Sequence, residues 1–273
     1  MQYFFAIIAG LIQGIAEFIP VSSSGHLIIF HDMFRFNLPD NVLFDVTLHL
    51  GTALALIIVL YKDILKVIRG FFSSLANWNL TQNFNQRLAW LVIIGTIPAG
   101  ILGYLFDRLI EKNLHDSPIA PLIIAIMLIG VAILFFIAEK YAKQNKTLAE
   151  MNKKEAFILG CAQATALIPG TSRSGITIIA GLWKNLKRED AARFSFLLSV
   201  PAILGAGLVS AKDISDWHAL PYKILAVGFL TAAISGYFSV KYLLRYFSKH
   251  TLKPFAWYRI ILGIIILIWM IFR

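Results

Sequence analysis

Two short polar stretches interrupt an otherwise apolar chain, and they contain the residue types best suited to chemistry. The first polar stretch, residues 13–26, reads QGIAEFIPVSSSGH, and the second polar stretch, residues 163–177, reads QATALIPGTSRSGIT. In each, a predicted helix stops at a proline, a polar run follows, and serines begin a new helix. We expect the two stretches to form the functional site; the alternative is a pair of simple proline kinks.

The serines in these stretches favour anion binding. Residues 22–24 and 172–174 are good N-caps, so each new helix would direct free N–H groups and the positive end of its dipole towards the site. Helix N-termini of this kind bind phosphate. Arg173 adds a guanidinium between two serines, so hydrogen-bond donors outnumber acceptors there. A phosphate-like anion is therefore the predicted ligand.

Glu17 and Arg173 are charged residues in apolar surroundings. A charge at the centre of a membrane helix costs about 2.5–3.5 kcal/mol unless it is paired or hydrated. We expect the two to face each other inside the protein, with a purely structural ion pair as the alternative. Gln13 precedes Glu17 by four residues and shares its helical face. Their oxygens suit a hard cation such as Mg²⁺ or Ca²⁺, although two oxygens alone do not define a metal site.

His26 follows Ser22 by four residues and Ser23 by three. Once the second helix of the stretch begins, its imidazole can lie within reach of a serine hydroxyl. A serine and a histidine in contact can act as nucleophile and base. A hydrogen-bonded structural histidine is the alternative.

The surrounding sequence is that of an integral membrane protein. The 273 residues are 58% hydrophobic and 15% charged, with a mean hydropathy of +0.73, which is too apolar for a water-soluble domain of this length. The single cysteine, Cys161, excludes a disulfide within one chain. The net charge of +10 is not accompanied by a basic helix or an aromatic platform, so no nucleic-acid partner is expected.

The apolar segments predict an all-α polytopic fold in two repeats. The first repeat, residues 1–140, has a broken segment at 2–31 and spans at 42–60, 88–105 and 119–138. The second repeat, residues 151–273, has a broken segment at 156–183 and spans at 191–210, 222–243 and 254–272. Together they form a single membrane domain.

The two repeats align without a gap where the polar stretches begin. Residues 6–30 match residues 156–180 at an offset of 150, with ten of 25 pairs identical, and the register resumes at an offset of 133 after a deletion. If each broken segment enters and leaves by one face, each half crosses three times and the second half is inverted. Coincidence between apolar helices is the alternative.

The basic residues predict the orientation. Sixteen Lys and Arg fall in the segments 61–87, 139–155, 184–190 and 241–253, against six on the other face: Arg35, Arg108, Lys112, Lys212, Lys223 and Arg273. The positive-inside rule places the first set in the cytoplasm and both termini outside.

These stretches resemble the signatures of the bacterial undecaprenyl-diphosphate phosphatase family, also called bacitracin-resistance proteins. The resemblance covers Gln13-x-x-x-Glu17, residues 20–26 and 169–175, and the run FSFLLSVP at 194–201. It implies hydrolysis of undecaprenyl diphosphate to undecaprenyl phosphate and inorganic phosphate in the bacterial inner membrane. This reaction recycles the lipid carrier of peptidoglycan synthesis and confers bacitracin resistance. It also implies a site open to the periplasm and a requirement for Mg²⁺ or Ca²⁺.

The resemblance further implies a role for each matching residue. Ser23 resembles the nucleophile, His26 its proton-transfer partner, and Glu17 with Gln13 the metal or water ligands. Gln13 stands where many members have an acidic residue, which puts ligation by two carboxylates in doubt. The residues expected to bind the diphosphate are Arg173, Ser172, Ser174, Thr177, Ser22, Ser24 and Gly25.

Two alternatives stay open at this point. A water held by Glu17 or His26 can attack phosphorus directly instead of Ser23. A lipid-phosphate transporter or flippase would also be built from inverted repeats with broken helices. The expected partners are a polyprenyl diphosphate and the bilayer, and the sequence leaves a homodimer open.

Overall fold

The computed structural model describes residues 1–34, 41–110, 117–212 and 221–272, apart from the side chains of 107–110. Four of the basic side chains assigned to the outer face, those of Arg35, Arg108, Lys112 and Arg273, lie outside this described part. Within it the helices are α1 (Gln2–Ala16), α2 (Ser23–Phe34), α3 (Asn41–Val59), α4 (Tyr61–Ala76), α5 (Phe84–Ile110), α6 (Ala120–Tyr141), α7 (Lys153–Ala164), α8 (Arg173–Trp183), α9 (Arg188–Lys212), α10 (Tyr222–Phe247) and α11 (Lys253–Phe272).

Six of these helices are long and apolar enough to cross a membrane. They are α3, α5, α6, α9, α10 and α11, with 19 to 26 residues in each apolar span. Each coincides with one of the six predicted spans. The prediction of an all-helical, multi-pass membrane protein is confirmed.

The broken segments form pairs of short helices. In the first, α1 has 15 residues and α2 has 12; in the second, α7 has 12, a 3₁₀ turn covers Thr165–Leu167, and α8 has 11. At 1.5 Å per residue the longest of them reaches about 22 Å, short of a hydrocarbon core of about 30 Å. None of these four helices is long enough to cross the membrane alone, and most residues of the polar turn in each pair are buried in the protein.

The two halves pack through corresponding glycines. Helix α1 lies along α10, and α7 lies along α5. A Cβ added at Gly10 would lie 2.8 Å from the carbonyl oxygen of Gly228, and one added at Gly160 would lie 2.3 Å from that of Gly95. Gly10 and Gly160 are related by the offset of 150, and Gly95 and Gly228 by the offset of 133. The two helix crossings therefore use the same repeat positions and both need a missing side chain.

Helix α4 is a feature that the sequence analysis missed, because residues 61–87 were assigned to a loop. One face of α4 packs on α5: Gly70 lies against the backbone of Asn85, and Trp90 Nε1 donates to Ser74 Oγ at 3.0 Å. The helix is amphipathic, with basic residues every three or four positions beside an exposed apolar stripe. Those charges lowered its mean hydropathy below that of a membrane span, although its helical period is present in the sequence.

Candidate active site

The two polar stretches meet in the interior. Glu17, just after the end of α1, accepts a hydrogen bond through Oε1 from Nη2 of Arg173, the first residue of α8. The N-terminal turn of α2 also touches the second stretch, since a Cβ on Gly25 would lie 3.6 Å from Cα of Gly170. Residues 156 positions apart along the chain thus form one cluster.

The Glu17 carboxylate is surrounded by donors. Besides Arg173, its Oε2 accepts from Ser23 Oγ at 2.5 Å and from Gln13 Nε2 at 2.9 Å, and His49 Nε2 lies 3.5 Å away. Glu17 is only 6% exposed. A buried carboxylate with this many donors is held as an anion in one orientation, and its nearest hydroxyl is that of Ser23.

Two buried polar atoms in this cluster are left without a partner. Within the described residues, neither Nη1 of Arg173 nor Oε1 of Gln13 makes a hydrogen bond. Buried polar groups of folded proteins nearly always have a hydrogen-bond partner, so a buried polar atom without one needs an explanation. Nη1 of Arg173 is a cationic donor, which an anion would bind. Oε1 of Gln13 is a neutral acceptor, which a cation would bind.

The serines before the two helices adopt the same unusual backbone. Ser22 and Ser172, which correspond in the repeat, have φ angles of 74° and 71°. Their hydroxyls accept from the N–H groups of Gly25 at 3.3 Å and Gly175 at 3.2 Å. A non-glycine residue in this region costs about 1–2 kcal/mol and is maintained at functional sites. Each strained cap fixes the first turn of its helix.

Corresponding positions in the two stretches carry different chemistry. Ser23 and Arg173 are both the first residue of a helix and are related by the offset of 150. Gln13 corresponds to Gln163, whereas Glu17 corresponds to Leu167. The first stretch therefore presents a hydroxyl with a carboxylate, and the second presents a guanidinium.

A buried arginine that the sequence analysis missed holds the two stretches together. Arg259 on α11 is 0% exposed. Its guanidinium donates, at 2.8–3.2 Å, to the backbone carbonyls of Pro20, Met127, Leu128, Gly170 and Thr171. It thereby joins the first stretch, the second stretch and α6. A charged residue within the apolar segment 254–272 was the signal that could have found it.

His26 and Thr177 lie near the cluster with other partners. Nδ1 of His26 lies 2.7 Å from the Ser22 carbonyl oxygen, and Nε2 lies 2.7 Å from the hydroxyl of Tyr258. Both ring nitrogens are thus engaged away from Ser23, whose hydroxyl binds Glu17 instead. Thr177 Oγ1 donates within α8 and lies 2.5 Å from Ser195 Oγ, so its hydroxyl contacts α9.

The remaining predicted ligands surround the helix starts. Ser24 Oγ lies 3.4 Å from the hydroxyl of Ser22, and Ser174 Oγ lies 3.3 Å from that of Ser172. Ser22, Ser172 and Ser174 are buried, while Ser24 is partly exposed. The four hydroxyls form two equivalent pairs, one at each helix N-terminus.

Comparison with known proteins identifies the family. Residues 6–265 match the family described as bacitracin resistance protein BacA. The undecaprenyl-diphosphatase of Alcanivorax borkumensis is 40% identical over 272 residues, which cover 99% of this chain and 100% of that protein. The undecaprenyl-diphosphatase of Geotalea daltonii is 40% identical, and the match covers 100% of this chain and 100% of that protein. The undecaprenyl-diphosphatase of Halothermothrix orenii is 41% identical, and the match covers 98% of this chain and 98% of that protein. This chain belongs to the BacA family.

The donor set of this BacA-family chain suits a cation that is completed by substrate. No group of three or more His, Cys, Asp or Glu in the described residues could hold a metal alone. Mg²⁺, however, is commonly bound by one or two protein oxygens together with substrate phosphates and waters. The unpartnered Oε1 of Gln13 fits that pattern, whereas both oxygens of Glu17 already accept hydrogen bonds, so a cation would have to replace one of those donors.

Proposed function

We propose that this chain hydrolyses undecaprenyl diphosphate to undecaprenyl phosphate and inorganic phosphate. Membership of the BacA family and the names of its relatives support this activity. The observation that carries it is the unpartnered Nη1 of Arg173, whose Nη2 binds the same Glu17 carboxylate that accepts from the Ser23 hydroxyl. A guanidinium arm without an acceptor, beside an activated hydroxyl and two helix N-termini, suits a phosphoryl group.

In the proposed mechanism Ser23 attacks the terminal phosphorus. A bond forms from Ser23 Oγ to phosphorus while the bond from that phosphorus to the bridging oxygen breaks, and the bridging oxygen leaves on undecaprenyl phosphate. Glu17 takes the hydroxyl proton, since it is the acceptor of the hydrogen bond from Ser23. This assignment replaces His26 as the base for Ser23, because the ring nitrogens of His26 contact Ser22 and Tyr258.

Water then releases the phosphate. A water oxygen bonds to the phosphorus of phosphoserine, the Ser23 oxygen leaves and regains its proton from Glu17, and His26 accepts the proton of the water. Arg173 and the N–H groups of α2 and α8 stabilise the charge on the phosphoryl oxygens throughout. Gln13 and Glu17 would hold a divalent cation, Mg²⁺ or Ca²⁺, which supplies charge neutralisation when bound.

We place the protein in the bacterial inner membrane with both termini and the site towards the periplasm, since the basic residues concentrate on the other face. The inverted arrangement of the two repeats belongs to the same proposal. It is supported by the matching Gly10–Gly228 and Gly160–Gly95 crossings and by the matching caps of α2 and α8. A homodimer stays a prediction.

A transporter or flippase is not favoured as the sole function. A carrier needs no nucleophile, whereas Ser23 is hydrogen-bonded to a buried carboxylate, and the relatives are named as diphosphatases. Purified protein in detergent separates the two, because transport leaves no product there. We expect phosphate release from undecaprenyl diphosphate; absence of release with folded protein would refute the hydrolase.

The covalent step has its own test. Rapid acid quenching during turnover should trap phosphate on Ser23, detected by mass spectrometry of the peptide. Ser23→Ala should abolish both the adduct and turnover, and Ser117→Ala, in the turn before α6, serves as the matched control. Full activity of Ser23→Ala would leave direct attack by water as the mechanism.

A further inference from the structure

Tyr258 on α11 contacts the proposed site, but it has no role in the mechanism described so far. Its hydroxyl oxygen lies 2.7 Å from Nε2 of His26. The two rings are also stacked, with an interplanar angle of 8° and centroids 5.8 Å apart. The contact joins residues 232 positions apart and therefore depends on how α11 packs against α2.

The hydrogen bonds of His26 determine its tautomer. The Ser22 carbonyl oxygen, 2.7 Å from Nδ1, can only accept a hydrogen bond, so Nδ1 carries a proton. In the neutral ring Nε2 then has the lone pair, and the Tyr258 hydroxyl donates to it. The nitrogen that would accept a proton from water is thus the one that Tyr258 contacts.

The position of Tyr258 is fixed by the next residue in the chain. That residue is Arg259, whose five hydrogen bonds join α11 to both polar stretches. Tyr258 as a whole residue is 45% exposed, and its hydrogen bond to His26 lies at an exposed position. Arg259 therefore fixes the position of Tyr258 relative to α2, while Tyr258 fixes the orientation of His26.

We propose that the Tyr258 hydroxyl passes a proton from the reacting water to Nε2 of His26. The water O–H bond breaks as its proton bonds to the Tyr258 oxygen, and the Tyr258 O–H bond breaks as that proton bonds to Nε2, so the contact persists in the transition state. This role rests on the proposed participation of His26 in the reaction. Tyr258→Phe removes the hydroxyl and keeps the ring stack, so it isolates the hydrogen bond.

Phosphate release by purified variants is the first test. A neutral hydrogen bond of this kind corresponds to a loss of about three- to tenfold, so we expect kcat to fall by that factor in Tyr258→Phe with KM little changed. Tyr104→Phe, a 71% exposed tyrosine on α5, is the matched control and should retain wild-type kcat. In a His26→Gln background the Tyr258 substitution should cause no further loss, because coupled residues are not additive.

Chemical modification gives a second readout that does not depend on activity. Diethyl pyrocarbonate acylates the free lone pair of an imidazole, so Tyr258→Phe should increase the rate at His26 about three- to tenfold. Exposed His250 is the internal reference and should react at an unchanged rate. Peptide mapping by mass spectrometry measures both.

The outcomes separate the two proposals. Full activity of His26→Gln would overturn the role of His26 and the role of Tyr258 with it. A severe loss in His26→Gln combined with unchanged kcat and unchanged His26 modification in Tyr258→Phe would overturn the role of Tyr258 alone. An additive loss in the double variant would make Tyr258 a general structural residue and would also overturn the proposal.

Discussion

Replacing Arg173 by lysine tests whether the site needs the two directed nitrogens of a guanidinium, called the fork below, or only a positive charge. Nη2 of Arg173 binds Glu17 while Nη1 is unpartnered, so arginine can hold the carboxylate and a phosphate oxygen at the same time. A lysine has one nitrogen at a single position and loses one of these two directed contacts. A hydrogen bond to a charged group contributes about 1.5–3 kcal/mol. We therefore expect kcat/KM of Arg173→Lys to fall roughly 10- to 150-fold.

The assay is phosphate release from undecaprenyl diphosphate by purified protein in detergent, with thermal unfolding measured on the same samples. Arg193→Lys is the matched control: Arg193 lies on membrane helix α9, and its Nε is 3.0 Å from Asp63 on α4. It should keep wild-type kcat/KM, and both variants should unfold within about 4 °C of the wild type, since neither loses its charge. An Arg173→Lys enzyme within about threefold of wild-type kcat/KM would refute the fork.

Three further predictions follow from the same contacts. Glu17→Gln keeps the shape but removes the proton acceptor of the proposed nucleophile, so kcat should fall by about 10² or more in the phosphate-release assay, and near-normal turnover would exclude it as the base. Arg259→Met should lower the free energy of unfolding by about 3 kcal/mol, because it leaves buried carbonyls unsatisfied; an unchanged melting temperature would contradict this. Glu139→Gln should also destabilise by about 3 kcal/mol, because its 1% exposed carboxylate accepts from Arg188 at 2.5 Å, while Glu189→Gln on the exposed surface should change the melting temperature little.

The helix starts of α2 and α8 share one backbone conformation but carry different side chains. Each stretch contains a serine cap with positive φ, and a helix begins at the next residue. At that position one half has Ser23 and the other has Arg173. A phosphoryl group bound here would meet the Ser23 hydroxyl as nucleophile, while Arg173 would neutralise the charge on its oxygens.

The sequence by itself determined the membrane class, the six spans and the two polar stretches that meet in the structure. Apolar runs of about 20 residues, identical residues at a fixed offset and charges in apolar surroundings are properties of the chain read in order. Glu17 and Arg173 were named for this reason, whereas Ser23 was named as one of the helix-capping serines and, as nucleophile, from the family resemblance. The amphipathic α4 escaped because its charges interrupt the apolar run.

Only the tertiary structure decided which donor meets which acceptor. Spacing along α2 brought His26 near a serine, but Ser23 binds Glu17, and the partner of His26 is Tyr258 on the last helix. Arg259 gained its role in the same way, from carbonyls on three separate segments. A hydrogen bond requires two atoms within about 3 Å. Helical period tells which groups share a face, whereas that distance is set by how distant helices pack.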